Sequence, residues 1–276
     1  MDTQLNLNEL TSDVCEIARS VGGFIRDNLN KIQLEDIQFK GQNSLVSFVD
    51  QEAEKKIVQR LKELLPVAGF VTEEDTVEQN QNGGYEWIVD PLDGTTNYLH
   101  KIPVFAVSIA LRHKEEILIG VVYNIMMDEC FSAWKDGGAF LNQERIQVSG
   151  NKDFSESLIA TGFPYYDFEF LEQYLSTFKE LISETRGVRR LGAAAVDLAY
   201  VACGRFDGFF EYSLHIWDIA AGELLVKEAG GLVTDFEGGD QHLTGSEIIA
   251  TNPYIYRKLK KIISRQFALH RRKESV

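Results

Sequence analysis

The chain has 276 residues, 44% hydrophobic and 25% charged, enough for one large domain or two closely packed ones around a substantial core. A formal net charge of -14 argues against a nucleic-acid-binding surface, and no apolar run reaches the roughly 18 residues of a membrane helix. MDTQLNLNEL lacks the basic and apolar regions of a secretory leader, and Cys15, Cys130 and Cys203 are odd in number without CxxC spacing, so a cytoplasmic protein without a disulfide framework is expected.

In chain order, the first ~30 residues predict an amphipathic helix, with Leu10, Val14, Ile17, Ala18, Val21, Phe24 and Ile25 at helical spacing. A second helix is expected after Asp50, where the stripe Ala53, Ile57, Leu61 and Leu64 ends before Pro66. Apolar or alternating segments at 68–72, 86–90, 105–112 and 117–125 predict strands. Hairpins are expected at Met127-Asp128-Glu129 and Asp136-Gly137-Gly138, which makes this block an antiparallel or mixed sheet. After a weak composition shift near 145–155, a helix is predicted over 191–202, stopping at Gly204, and a strand over 207–212. A further helix over 219–229 carries an i,i+4 Glu223–Lys227 pair and ends at Gly230-Gly231, with a strand over 232–236 behind it. Asn252-Pro253 reads as an N-cap with proline at the first helical position, and the basic tail His270-Arg271-Arg272-Lys273 as a solvated end. The class is α and β in layers, with a 1–148 region and a 149–276 region packed as one unit.

The most informative stretch is Trp87-Ile-Val-Asp90-Pro-Leu-Asp93-Gly-Thr95-Thr96-Asn97. An apolar strand ends on Asp90, proline turns the chain, and Asp93 opens a polar segment that could start a helix. Both carboxylates can then face one spot, as a hard cation such as Mg²⁺ requires. The amides of Gly94 and Thr95 could form an anion-binding N-terminus beside them. The same turn also reads as a capped loop with Asp93 as N-cap. Glu73-Glu74-Asp75 follows another short apolar strand and could be a solvated acidic loop. Asp218 after Trp217, and Asp50, each sit where helix capping is the default reading. No zinc-binding histidine spacing, Walker A loop, GxGxxG or GxSxG is present.

Together, Glu73-Glu74, Asp90-Pro-Leu-Asp93-Gly-Thr95-Thr-Asn97, and Trp217-Asp218-Ile-Ala220-Ala221 leading to Glu228-Ala-Gly230-Gly231 resemble the inositol monophosphatase family of lithium-sensitive, magnesium-dependent phosphatases. Order and separation match over nearly the whole chain. The resemblance implies an α-β-α-β-α sandwich with mixed and antiparallel sheets, two to three Mg²⁺ ions, and a homodimer. It implies that Glu73, Asp90 and the Leu92 carbonyl hold one ion, and Asp90, Asp93 and Asp218 a second. Thr95 with Asp50 would orient the attacking water, with Glu73 also in the catalytic set. The Gly94 and Thr95 amides would receive phosphate oxygens. Glu211 would contact substrate hydroxyls, with Gly192, Ala193, Ala194, Asp93 and Asp218 lining the alcohol side. Two departures stand out: Lys40-Gly-Gln-Asn43-Ser44 lacks the acid common before Leu-Val-Thr, and Thr72 precedes Glu73 where glycine is common.

Charge arithmetic supports the expectation. Glu73, Asp90, Asp93 and Asp218 carry four negative charges when ionised. Two Mg²⁺ neutralise them, and a third leaves net positive charge for a phosphate monoester of about two negative charges. The expected reaction is direct in-line hydrolysis of inositol 1-phosphate, or a similar inositol monophosphate, by metal-activated water, without a phosphoenzyme. Glu211 and Thr161-Gly-Phe-Pro-Tyr165, which resembles bacterial inositol monophosphatases, favour that substrate. The alternatives are the same chemistry on 3'-phosphoadenosine 5'-phosphate, a sugar phosphate or fructose 1,6-bisphosphate, or a non-catalytic scaffold of this fold. A small-molecule phosphate ester is the expected partner, with no nucleic acid and no membrane.

Overall fold

A computed structural model describes residues 5–31, 37–39, 45–78, 84–164 and 168–271. The segment Lys40–Ser44 and Tyr165, singled out above, lie outside the described residues. Helix α1 (Leu7–Asn28) buries Leu10, Val14, Ile17, Ala18, Val21 and Ile25, the stripe that spacing predicts, and the Asn6 side chain caps it by accepting the Glu9 amide. A short ribbon of β1 (Ile37–Phe39) and β2 (Leu45–Ser47) leads into α2 (Phe48–Leu64). This helix starts before Asp50, so Asp50 lies in its first turn and not ahead of it.

Seven strands follow: β3 (Gly69–Thr72), β4 (Tyr85–Asp93), β5 (Ala106–His113), β6 (Glu116–Asn124), β7 (Glu129–Trp134), β8 (Gly138–Leu141) and β9 (Glu144–Ile146), with the short helix α3 (Thr95–Leu99) between β4 and β5. They pair in sequence order, antiparallel except for the parallel β3–β4 pair. The two expected hairpins join β6 to β7 and β7 to β8. α1 and α2 cover one face of this sheet, and their apolar stripes join its side chains in one core.

The second sheet contains β10 (Leu158–Thr161), β11 (Gly187–Arg189), β12 (Gly208–Tyr212), β13 (Leu232–Thr234) and β14 (Glu247–Thr251), in the order β11-β10-β12-β14-β13. β10 runs parallel to β11 and β12, and the other pairs are antiparallel. Helices α4 (Leu171–Glu184), α5 (Ala194–Ala202), α6 (Ile216–Glu228), α7 (His242–Gly245) and α8 (Tyr256–Arg271) complete the chain. α5 and α6 lie between the two sheets, which is why residues 219–226 are buried on every side. α4 and α8 cover the outer face of the second sheet with Tyr174, Leu181, Leu259 and Ile263. The layers are therefore α-β-α-β-α with mixed sheets.

Four local expectations change. β4 continues to Asp93 and does not end at Asp90. α6 begins three residues earlier than its apolar run, at Ile216, because the His215 backbone is extended and caps it. β13 stops at Thr234. Asn252 accepts the amides of Tyr254 and Ile255, and Pro253 sits in that turn ahead of α8. Among the described residues no helix is long and apolar enough to cross a membrane.

Candidate metal and phosphate site

The site forms where β4 breaks its pleat. Asp90 pairs with Ser108 and Asp93 with Ala106, so three steps on β4 match two on β5. In a regular strand, residues three apart point to opposite faces. The bulge restores Asp90 and Asp93 to the same side, and both line one cavity of about 160 Å³. Pro91 has no amide to donate, which suits the interrupted ladder of this central strand. Asp90 Oδ1 accepts the Leu92 amide at 2.9 Å.

Gly94 then adopts a left-handed conformation, φ +90°, and starts α3. Thr95 Oγ1 donates to the Leu92 carbonyl at 3.1 Å. Asp93 does not cap α3. Its Oδ2 accepts the Ala195 amide at 2.8 Å, so it sits at the N-terminus of α5 and joins the two halves of the chain. Asn97 reinforces this junction by donating Nδ2 to the Val104 and Leu191 carbonyls at 2.8 and 2.9 Å.

Glu73 leaves β3 beside Asp90, because Thr72 pairs with Val89 and the Glu73 amide donates to the Val89 carbonyl at 3.2 Å. Asp218 comes from the first turn of α6, where its Oδ2 accepts the His215 amide at 2.7 Å. Asp50, almost fully buried, is not on the cavity wall but lies close enough to Glu73 to disfavour its ionisation. Leu92, Gly94, Thr95, Gly192, Ala193, Ala194 and Glu211 all line the cavity. Glu211 faces Gly162 across the parallel β10–β12 pair, so closely that a Cβ on Gly162 would lie 2.1 Å from its carboxylate.

Charge is concentrated here. Burial, then Asp218, Glu74 and Asp50, pushes Glu73 well above the usual carboxylate range. Burial, then Glu73, Asp93 and Asp218, does the same to Asp90. Asp93 rises to about 7 through burial and Asp218, against the amides of α5. Burial lifts Asp218 to about 6, opposed by the His215 amide. Glu211 is lifted to about 8, by burial and then Asp218. Like charges packed this way call for a cation, and the donors are all hard oxygens, the set that suits Mg²⁺ better than zinc or copper. Among the described residues, no three acidic, histidine or cysteine side chains close on a single point as a ready-made cage. A hard cation at such a site completes its coordination with water and phosphate oxygens, so the carboxylates need not form a closed cage by themselves.

Three residues escaped sequence reasoning. Arg190 contributes the arginine of the cavity wall, its guanidinium stacked 4.6 Å over the Phe163 ring. Trp217, given no role of its own above, lines the cavity and stacks on His215 at 4.7 Å. Asp197, within the alanine-rich α5, is buried near Glu211 and Asp93, which hold its carboxyl well above the usual range after burial itself. A lone acid in an apolar helix was the available signal for Asp197; Arg190 carries no spacing pattern.

Comparison with known proteins agrees in detail with this architecture. The model of the "Inositol monophosphatase family" matches residues 6–270. The chain is 41% identical over 256 residues to an inositol-1-monophosphatase of Mesorhizobium japonicum, covering 93% of this chain and 96% of that one. It is 41% identical over 242 residues to the Nus factor SuhB of Escherichia coli K12, covering 88% and 91%. The crystal structure of extragenic suppressor protein suhB from Bartonella henselae superposes with a TM-score of 0.88 at 42% identity, covering 92% and 98%.

Proposed function

Because the chain belongs to the inositol monophosphatase family, we propose that it is a Mg²⁺-dependent phosphomonoesterase that hydrolyses inositol 1-phosphate, or a similar inositol monophosphate, to inositol and phosphate. The observation that carries this reading is the convergence of Glu73, Asp90, Asp93 and Asp218 on one cavity, next to the turn at Gly94 and Thr95.

In this proposal Glu73, Asp90 and the Leu92 carbonyl hold one Mg²⁺, and Asp90, Asp93 and Asp218 a second, with a third near Glu73. When bound, the ions supply positive charge to the phosphoryl oxygens and lower the pKa of water. The amides of Gly94 and Thr95 receive phosphate oxygens. Thr95, whose Oγ1 donates to the Leu92 carbonyl, would with Asp50 orient or activate the attacking water. On the alcohol side, Gly192, Ala193 and Ala194 form a close backbone wall. Glu211, which lines the cavity beside them, would contact the ring hydroxyls. A homodimer in the cytoplasm belongs to the same proposal.

The test is a panel of phosphate esters with Mg²⁺, read as kcat/KM. Inositol 1-phosphate is expected to lead. A preference for adenosine 3',5'-bisphosphate of more than about tenfold, about 1.4 kcal/mol of transition-state discrimination, would overturn the substrate. A second reading, a binding protein that keeps the fold, is favoured by one observation: a relative at 41% identity is named as a factor and not as an enzyme. Absence of phosphomonoester hydrolysis by the purified chain with Mg²⁺ would select it.

A further inference from the structure

Glu54 follows Asp50 by one turn of α2 and is completely buried, where a glutamate is rarely found without partners. Its carboxylate is met by three donors. Oε2 accepts the Glu74 amide at 2.8 Å, and Oε1 accepts the Thr76 amide at 2.8 Å and the Thr76 hydroxyl at 2.6 Å. All three belong to the segment that follows Glu73. Between them Asp75 takes a left-handed φ of +51°, which turns both amides toward α2. On its other side Glu73 is tied by its amide to the Val89 carbonyl of β4. The exit of β3 is therefore held between β4 and α2, and α2 sets Asp50 and Glu54 on one face, four residues apart.

On the reading of the site given above, we infer that Glu54 is a positioning residue for metal binding: its clamp on Glu74 and Thr76 holds Glu73 at the cavity against the repulsion of the surrounding acids. Glu73 stands at the end of a strand, where the following loop could swing the carboxylate outward to relieve crowding by Asp90, Asp218 and Asp50. A loop fixed in advance spares the ion the cost of drawing Glu73 back. Glu54 is not on the cavity wall, so it acts through Glu73 and not on substrate.

The experiment titrates Mg²⁺ alone into the full chain, stripped of metal, by calorimetry, with amide hydrogen exchange on the same metal-free samples. Glu54→Gln puts an amide donor against N–H groups and is expected to weaken Mg²⁺ binding about tenfold, the low end of the scale for direct partners of metal ligands, because Glu54 acts one step removed through the Glu74 and Thr76 backbone. Exchange at the Glu74 and Thr76 amides should accelerate while β5 and β6 stay protected. At saturating Mg²⁺, kcat and KM should stay within about threefold of the parent, because the loaded site is unchanged. Thr76→Val removes only the hydroxyl donor and keeps the test alive if Glu54→Gln does not fold; it should weaken Mg²⁺ binding in the same direction by a smaller factor. Parent-like Mg²⁺ affinity in both variants would overturn the inference. If the parent chain itself binds no Mg²⁺, the reading of the site fails first, and the inference falls with it.

Discussion

At the scale of single residues, Asp93 serves two purposes that one substitution can separate. Its carboxylate faces the acids of the cavity and also accepts the Ala195 amide at the start of α5. Asn at this position keeps an acceptor for that amide but loses the charge. Asp93→Asn is expected to lower kcat by about a thousandfold, roughly 4 kcal/mol of transition-state stabilisation. The Tm of the metal-free protein should stay the same or rise, because a like charge leaves the cluster. A thermal scan beside the activity assay checks both, and a collapse of Tm would mean the loss is structural. Gly162 offers the complementary test on the alcohol side. Its missing side chain leaves room for Glu211, and a Cβ would collide with that carboxylate. Gly162→Ala should therefore raise KM for inositol 1-phosphate about tenfold, equal to about 1.4 kcal/mol of lost binding, with Mg²⁺ affinity unchanged. An unchanged KM would mean that Glu211 does not hold the alcohol.

Among elements, the decisive one is the bulged end of β4, because it turns a strand into a platform carrying two acids. Its geometry depends on Asn97, which bonds to carbonyls on both sides of the junction with α5. Asn97→Ala leaves the Val104 and Leu191 carbonyls without that donor, at a cost of about 1–3 kcal/mol. A Tm lower by about 5 °C is expected at roughly 2–4 °C per kcal/mol for a chain of this size, with a raised KM for the phosphate ester. Sequence periodicity was enough for α1, α2 and the long strands, since each buries one face and shows it as a stripe or an alternation. The bulge was not legible: Pro91 reads as a turn, and only pairing with β5 shows the strand resuming at Asp93. α4 was not identified, although Tyr174, Thr177 and Leu181 recur on its buried face as in α1. β10, β11 and β14 are three to five residues long, and the β10–β12 and β12–β14 pairs skip a strand in the sequence, so these neighbours are set by tertiary packing. The acids of the site were legible as motifs. Arg190 and Asp197 were not, since Arg190 comes to Glu211 from the end of β11 and Asp197 from α5, and only the packing of both elements beside β12 brings them together.

For the whole molecule, the net charge of -14 and the buried acid cluster make stability depend on pH and on divalent cation together. Asp218, Asp93 and Glu211 are lifted to about 6, 7 and 8 in the metal-free fold, mainly by burial. The unfolded chain holds ordinary carboxylates with pKa values of about 4. Between these limits the folded state binds more protons than the unfolded one, so unfolding free energy falls as pH rises. The decline begins near pH 4 and runs through the three folded values. The metal-free protein is therefore expected to melt lower at pH 8 than at pH 5.5. At about 1.4 kcal/mol per pKa unit and at least 2 °C per kcal/mol, the difference is on the order of 5 °C or more. Adding Mg²⁺ at pH 8 should restore the lost stability, because a cation favours the ionised carboxylates and binds only the folded site. At pH 5.5 the same addition should do much less, since protons already occupy the cluster. Calorimetric scans in chelator and in Mg²⁺ at the two pH values measure all four corners. A metal-free Tm that rises steadily from pH 5.5 to 8 would show that these carboxylates are not crowded as the structure has them, and would remove the physical reason for placing cations among Glu73, Asp90, Asp93 and Asp218.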